Sequence, residues 1–403
     1  MGEPATGRGP AGGTGPAGAD GHTGGGGAAD TGGAGRAWAE LLRVSALFSV
    51  PGDLLAGATA AGHRPNHRTA LAACASLCLY EAGMALNDWA DRDIDAIERP
   101  SRPIPSGRIA PSAALAAAGG LTVAGLALAA AASRPALLTA TALAATVWAY
   151  DLHLKNTPAG PAAMACARTL DLLQGAVATA PPGTARQRRP EDTGRADTRH
   201  PSGAARSARA ALPSAVLLGA HTLAVTTVSR REAQGSSSAL PLAGLAAVAA
   251  VAGAAMGGRG RDRGRAHGRS RGRPAGYRSA ARRPAAYGLA AGRPAAYGLA
   301  ASANSATDSP TNSPTDSAAH SATPSPFTAA LVAGYGVTAA RPLLQAVLNP
   351  SPYFLQRAVG GGIRAMIPLQ AALTARAGAP RTAAALLALI PAARRLSRKV
   401  SPT

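Results

Sequence analysis

The 403 residues carry a formal net charge of +21, yet only 15% are charged, 47% are apolar and 3% are aromatic. So little charge excludes an ordinary set of soluble domains, whose surfaces need far more of it. Lysine occurs only at Lys155 and Lys399, and much of the arginine falls in two segments, 186–209 and 259–293. The basic excess is therefore regional and does not make the whole chain a nucleic-acid binder.

Residues 1–36 are rich in Gly, Ala and Pro, cannot bury a core, and are expected to form a disordered tail. They hold no apolar leader, so the run from Leu41 is expected to insert uncleaved. A membrane-spanning helix needs roughly 20 apolar residues. Candidate runs lie at 41–61, 69–90, 112–132, 135–150, 160–181, 210–228, 238–258, 327–348 and 358–376, with a shorter one at 381–396. The expected fold is all-α: a polytopic membrane bundle of about nine helices, made from residues 37–182, 210–256 and 327–403. Two polar insertions, 183–209 and 257–326, interrupt it and are expected to be disordered. Gly119, Gly120, Gly125 and Gly360-Gly361-Gly362 would let helix backbones approach closely in lipid. Cys74, Cys78 and Cys166 sit in apolar runs without zinc-site spacing and read as small core residues.

The second run closes on Asn87-Asp88-Trp89-Ala90-Asp91-Arg92-Asp93-Ile94-Asp95. Carboxylates spaced by three and four residues share one face of a helix, and Asn87 lies beside them. Hard oxygen ligands so grouped suit Mg2+, which takes a few carboxylates together with phosphate oxygens and water. The following loop, Glu98-Arg99-Pro100-Ser101-Arg102-Pro103-Ile104-Pro105-Ser106-Gly107-Arg108, supplies guanidinium groups, which match phosphate geometry. Acids that hold a cation, next to bases that hold the anion it bridges, make a coherent diphosphate site. The plainer alternative is a helix end whose acids meet water and pair with Arg92 or Arg99.

These residues resemble the first aspartate-rich motif and the following loop of the UbiA superfamily of intramembrane prenyltransferases. Tyr150-Asp151-Leu152-His153-Leu154-Lys155 resembles that family's tyrosine-to-lysine motif after the fourth helix. The resemblance implies nine helices around a cavity that takes a prenyl diphosphate and an aromatic or lipid acceptor. It further implies Asn87, Asp88, Asp91 and Asp95 as Mg2+ ligands, with Asp88, Asp91, Asp95 and Lys155 catalytic. Asn87, Arg102, Arg108, Tyr150 and Glu232 would bind substrate. The place implied is a multi-pass position in a bacterial cell membrane, and no nucleic-acid partner is expected.

One departure stands out. The sixth run, His221 to Glu232, has the single acid Glu232 where the family carries a second aspartate-rich motif. Ser229-Arg230-x-Glu232 and the segment Arg357–Gln370 are similar to a divergent bacterial, EboC-like branch. The missing acids favour a rival reading, an isoprenoid-lipid binder or transporter without catalysis. Asp53, Glu81, Arg168, Asp171 and Arg341 lie within apolar runs and are functional candidates because charge there is costly. Arg168 and Asp171, three apart, are expected to neutralise each other, while His221 and Gln370 either line the cavity or satisfy neighbouring helices.

The long insertion repeats Arg283-Pro284-Ala285-Ala286-Tyr287-Gly288-Leu289-Ala290-Ala291 at 293–301, which reads as expansion by duplication. Deleting 257–326 is expected to leave the activity within about twofold, surface changes remote from a site being nearly neutral. A nucleic-acid role for the Arg-Gly run requires the deletion to destroy function, as measured on the purified shortened chain.

Overall fold

The computed structural model describes residues 28–42, 49–181, 202–233, 235–257 and 324–400, and the side chains of all but 28–32 and 392–400. Those residues form twelve α-helices and no strands. In chain order the helices are α1 (Ala28–Leu41), α2 (Val50–Ala60), α3 (His67–Ala90), α4 (Arg92–Glu98), α5 (Pro111–Ala132) and α6 (Arg134–Ala149). After a π-helical turn, Tyr150–Leu154, come α7 (Gly160–Thr179), α8 (Gly203–Ser229), α9 (Ala239–Met256), α10 (Pro326–Leu348), α11 (Pro352–Arg376) and α12 (Pro380–Val400).

Local chemistry sets most of these ends. Asn66 caps α3 by accepting from the backbone N–H of Arg68 and Thr69, while the Thr69 hydroxyl accepts from Asn66 N–H. Ser133, Ser202 and Ser325 cap α6, α8 and α10 in the same manner. Proline stands in the first turn of α5, α6, α7, α10 and α11, where its missing N–H costs nothing.

Five helices, α3, α5, α8, α9 and α10, are long and apolar enough to cross a membrane. The expectation of about nine does not reduce to nine such helices among the described residues. α2 has 11 residues and α6 has 16, and the apolar runs of α7 and α11 carry Arg168, Asp171, Arg357 and Arg364. Two expected boundaries also shift. Residues 28–36, placed in the tail, belong to α1, and 203–209, placed in the first insertion, open α8. The rest of the tail, 1–27, and the insertion segments 182–201 and 258–323 lie outside the described residues, as does 43–48 within the first expected span.

The helices pack into a closed bundle. α3 lies on α5, α7 on α6 and α8, α10 on α9 and α11, and α11 returns to α2. Small residues make the tightest crossing. A Cβ on Gly57 of α2 would run into the Leu172 carbonyl oxygen of α7, and one on Gly175 of α7 into the Leu54 backbone of α2. Backbone contact of this kind is the usual route to helix association in lipid. It also brings Asp53 of α2 against Arg168 of α7. Gly119, Gly120 and Cys74 correct the sequence reading: neither glycine meets anything within 4 Å, and Cys74, like Cys166, is exposed on the bundle. Gly175→Val is expected to lower the thermal unfolding midpoint in detergent, overpacking costing about 1–3 kcal/mol or more. Gly119→Val serves as the neutral control, and equal midpoints for the two variants would refute the crossing.

Candidate functional site

α3 ends at Ala90, and α4 restarts at Arg92 with Asp91 at the junction, φ −90° and ψ 0°. Helical hydrogen bonding nearly continues across the break: Asp91 N–H donates to Asn87 O and Asp95 N–H to Asp91 O. Asp88 and Asp95 therefore stay on one face and are buried, at 4% and 3% exposure. A single guanidinium joins them, for Arg102 Nη1 donates to Asp95 Oδ2 at 2.6 Å and to Asp88 Oδ1 at 3.3 Å. Arg99 approaches Asp95 from outside, at 3.8 Å.

Asp91 takes another partner. Its Oδ1 lies 2.6 Å from Lys155 Nζ. Lys155 is delivered by the π-helical turn, whose wide ring is closed by Lys155 N–H donating to Tyr150 O at 2.8 Å. Such turns inside helices recur at functional sites. The same turn buries Asp151 (4% exposed), whose Oδ1 accepts from Asn87 Nδ2 at 3.2 Å. Arg230, beyond α8, ties the following segment down by donating to Thr157 O and, at 3.4 Å, to Lys155 O.

The structure thus brings Asn87, Asp88, Asp91, Asp95, Arg102, Tyr150 and Lys155 to one end of the bundle, but not onto a single point. Among the described residues, no group of three or more His, Cys, Asp or Glu side chains is placed to hold a metal ion. The cause is the helix break, which turns Asp91 toward Lys155 while Asp88 and Asp95 face Arg102. The donor set fits Mg2+ in one mode only. Asp88 and Asp95 already hold one cationic nitrogen between them, and a metal completing its shell with diphosphate oxygens could take that place. A closed cage of four protein ligands does not fit.

Arg108 stands apart. Nη1 pairs with Glu40 of α1 at 2.8 Å and Nη2 donates to Ser101 O at 2.6 Å, so it clasps the loop onto α1. The Glu40 hydrogen bond raises its pKa further. Ile104 and Ile109 from this loop are buried with Ala37 and Leu41 of α1. Glu232 lies at the same end, half-buried; burial raises its carboxyl pKa while Arg99 opposes the shift.

Behind Asn87 opens a cavity of about 330 Å3 between α3, α6 and α7, walled by apolar side chains such as Leu79, Met84 and Val147. Tyr150 and Asp151 line it near the acidic end, and Ser76, Arg168 and Asp171 line it more deeply. Arg168 does not neutralise its helical neighbour alone. Nη1 pairs with Asp53 Oδ2 at 2.6 Å, and Nη2 donates to Ser49 Oγ at 3.2 Å. Gln370 of α11 donates to Asp53 Oδ1 at 2.6 Å, and Ser76 donates to Asp171. His221 satisfies neighbouring helices through Tyr335 OH and Gly362 O rather than lining the cavity. Glu81 is buried off the cavity wall, and Arg341 is exposed.

Sequence reasoning passed over Asp151 as a functional acid and missed the bond from Asp53 to Gln370. An acid within the Tyr150-to-Lys155 segment was the available signal for Asp151. Nothing local announces a partner more than 300 residues away.

Comparison with known proteins gives the family. The UbiA prenyltransferase family model matches residues 49–258, and the chain belongs to that family. Digeranylgeranylglyceryl phosphate synthase of Methanopyrus kandleri is 36% identical over 128 residues, 30% of this chain and 45% of that protein. The enzyme of the same name from Methanothrix thermoacetophila is 37% identical over 134 residues, 33% of this chain and 49% of its own. The chain thus spans about half the length of the curated relatives it matches. A solved UbiA homologue from Aeropyrum pernix K1 covers 81% of this chain and 96% of its own, at 15% identity and a TM-score of 0.49.

Proposed function

We propose that this chain is a membrane-embedded prenyltransferase that moves an isoprenoid group from a prenyl diphosphate to an aromatic or lipid acceptor, with Mg2+ required. The observation that carries the reading is the convergence of two buried carboxylates, Asp88 and Asp95, on one cation at the head of an apolar cavity. A bundle in lipid does not bury acids there without a use for them.

Asp88 and Asp95, flanked by Asn87 and Asp91, would hold the metal. Bound there with diphosphate, it would draw electron density from the C1–O bond. Arg102, released from Asp88 and Asp95, and Lys155, kept in place by Asp91, would face the diphosphate oxygens and stabilise the charge that builds as the leaving group departs. The allylic carbon would then face the cavity, where the acceptor captures it and the apolar wall excludes water. Tyr150 and Asp151 border the place where that bond forms, and Glu232 lies outside it near Arg99. The names of the archaeal relatives put a glyceryl phosphate lipid among the acceptors to try.

The single acid at the end of α8, Glu232, supports a second reading, a non-catalytic isoprenoid-lipid binder or transporter. Purified full-length protein incubated with geranylgeranyl diphosphate and a panel of aromatic and glyceryl phosphate lipid acceptors separates the two. Diphosphate release that needs Mg2+ is the expected result. Tight binding without release, with Mg2+ present, would establish the second reading.

A further inference from the structure

The cavity has two polar ends. Ser76 stands eleven residues before Asn87 on α3, roughly 16 Å along a helix. Between them the wall is apolar, and at the deep end Arg168, Asp171 and Ser76 face the same space. Asp53 and Ser49 hold the guanidinium in place, and Gln370 fixes Asp53 from the far side. This deep group takes no part in holding diphosphate. Arg168 commits two nitrogens to Asp53 and Ser49, and Ser76 donates to Asp171, but isoprenoid chain packed against the group would offer nothing to the N–H groups and lone pairs those bonds leave over.

We propose that Arg168, Asp171 and Ser76 form a second subsite, which receives an uncharged hydroxyl at the far end of an elongated acceptor. The charge balance decides against an anion. Two carboxyl groups, Asp53 and Asp171, lie against each other and against one guanidinium, so the group carries no net positive charge while either carboxyl is ionised. A phosphate or carboxylate brought there would meet like charge in a medium that screens it poorly. A hydroxyl both accepts and donates, and can accept a hydrogen bond from Arg168 while donating one to Asp171. The acceptor so defined carries its nucleophile near Asn87 and a neutral hydroxyl about one cavity length away. The word acceptor rests on the prenyl-transfer reading; the hydroxyl subsite itself does not.

Three rod-shaped probes differing at one end only test this: 4-phenylphenol, biphenyl and biphenyl-4-carboxylate. Binding to the full chain in detergent is measured by calorimetry without donor. A parallel titration with Mg2+ and geranylgeranyl diphosphate judges the prenyl-transfer reading independently. 4-Phenylphenol is expected to bind about tenfold more tightly than either analogue, the scale of a hydrogen bond to a charged group. In Asp171→Asn the preference is expected to shrink to about twofold or less, as one charge-assisted bond is weakened. Ser76→Ala carries the same expectation and answers if Asp171→Asn fails to fold. Equal binding of the three probes, tighter binding of the carboxylate, or an unchanged preference in the folded variant would each overturn the subsite.

Discussion

Replacing Asp88 and Asp95 together by asparagine is expected to reduce prenyl transfer by at least about 100-fold, the scale on which one preorganised electrostatic contact at a reaction centre is worth. The two carboxylates are buried and both face Arg102 Nη1, at 3.3 and 2.6 Å. Asparagine keeps their shape, so bundle packing should survive; circular dichroism and detergent elution should match the unaltered chain. What disappears is the paired negative charge that alone at this end can exchange a guanidinium for a divalent ion. Transfer is read from radiolabelled geranylgeranyl diphosphate, and Mg2+ dependence should vanish with the activity. Asp91→Ala probes a different contact, since its carboxylate holds Lys155 and is 26% exposed. Freeing Lys155 there should also abolish transfer, through loss of a placed cation beside the diphosphate. Full turnover in the double variant would remove these residues from the mechanism.

The bundle and its acidic end were legible in the sequence because each rests on local rules. Uninterrupted apolar runs put α5, α9 and α10 within two residues of the expected limits. The spacing of Asp88, Asp91 and Asp95 gave the acidic cluster, but not the break at Asp91 that sends that side chain to Lys155. α1 was illegible for a different reason. Gly32, Gly33 and Gly35 lower its helical preference, and its buried face, Ala37 and Leu41, packs on residues from the loop after α4. Arg168 shows the same limit: spacing on one helix pointed to Asp171, whereas the direct 2.6 Å ion pair is to Asp53, 115 residues away. Arg108, which the resemblance implies as a substrate ligand, is turned to α1 by Glu40.

That long-range pair supplies the second large expected effect. Arg168→Ala should cost about 3–5 kcal/mol of stability, the range for stripping one partner from a buried ion pair. Asp53 is fully buried and would keep Gln370 and its hydrogen bond with Asp171, which would also keep Ser76. Two carboxyl groups would then face each other with no cation between them. The unfolding midpoint in detergent should fall well below that of the unaltered protein. Arg168→Met combined with Asp53→Asn tests the cause: the amide can still accept from Gln370, and the thioether fills part of the vacated space without charge. The pair should recover more than half of the lost stability, since removing both charges abolishes the uncompensated one that the single change creates. If the single variant melts with the unaltered chain, the ion pair contributes nothing to the bundle. Should the double variant melt as low as the single, packing rather than charge is what Arg168 supplies at the α2–α7 crossing.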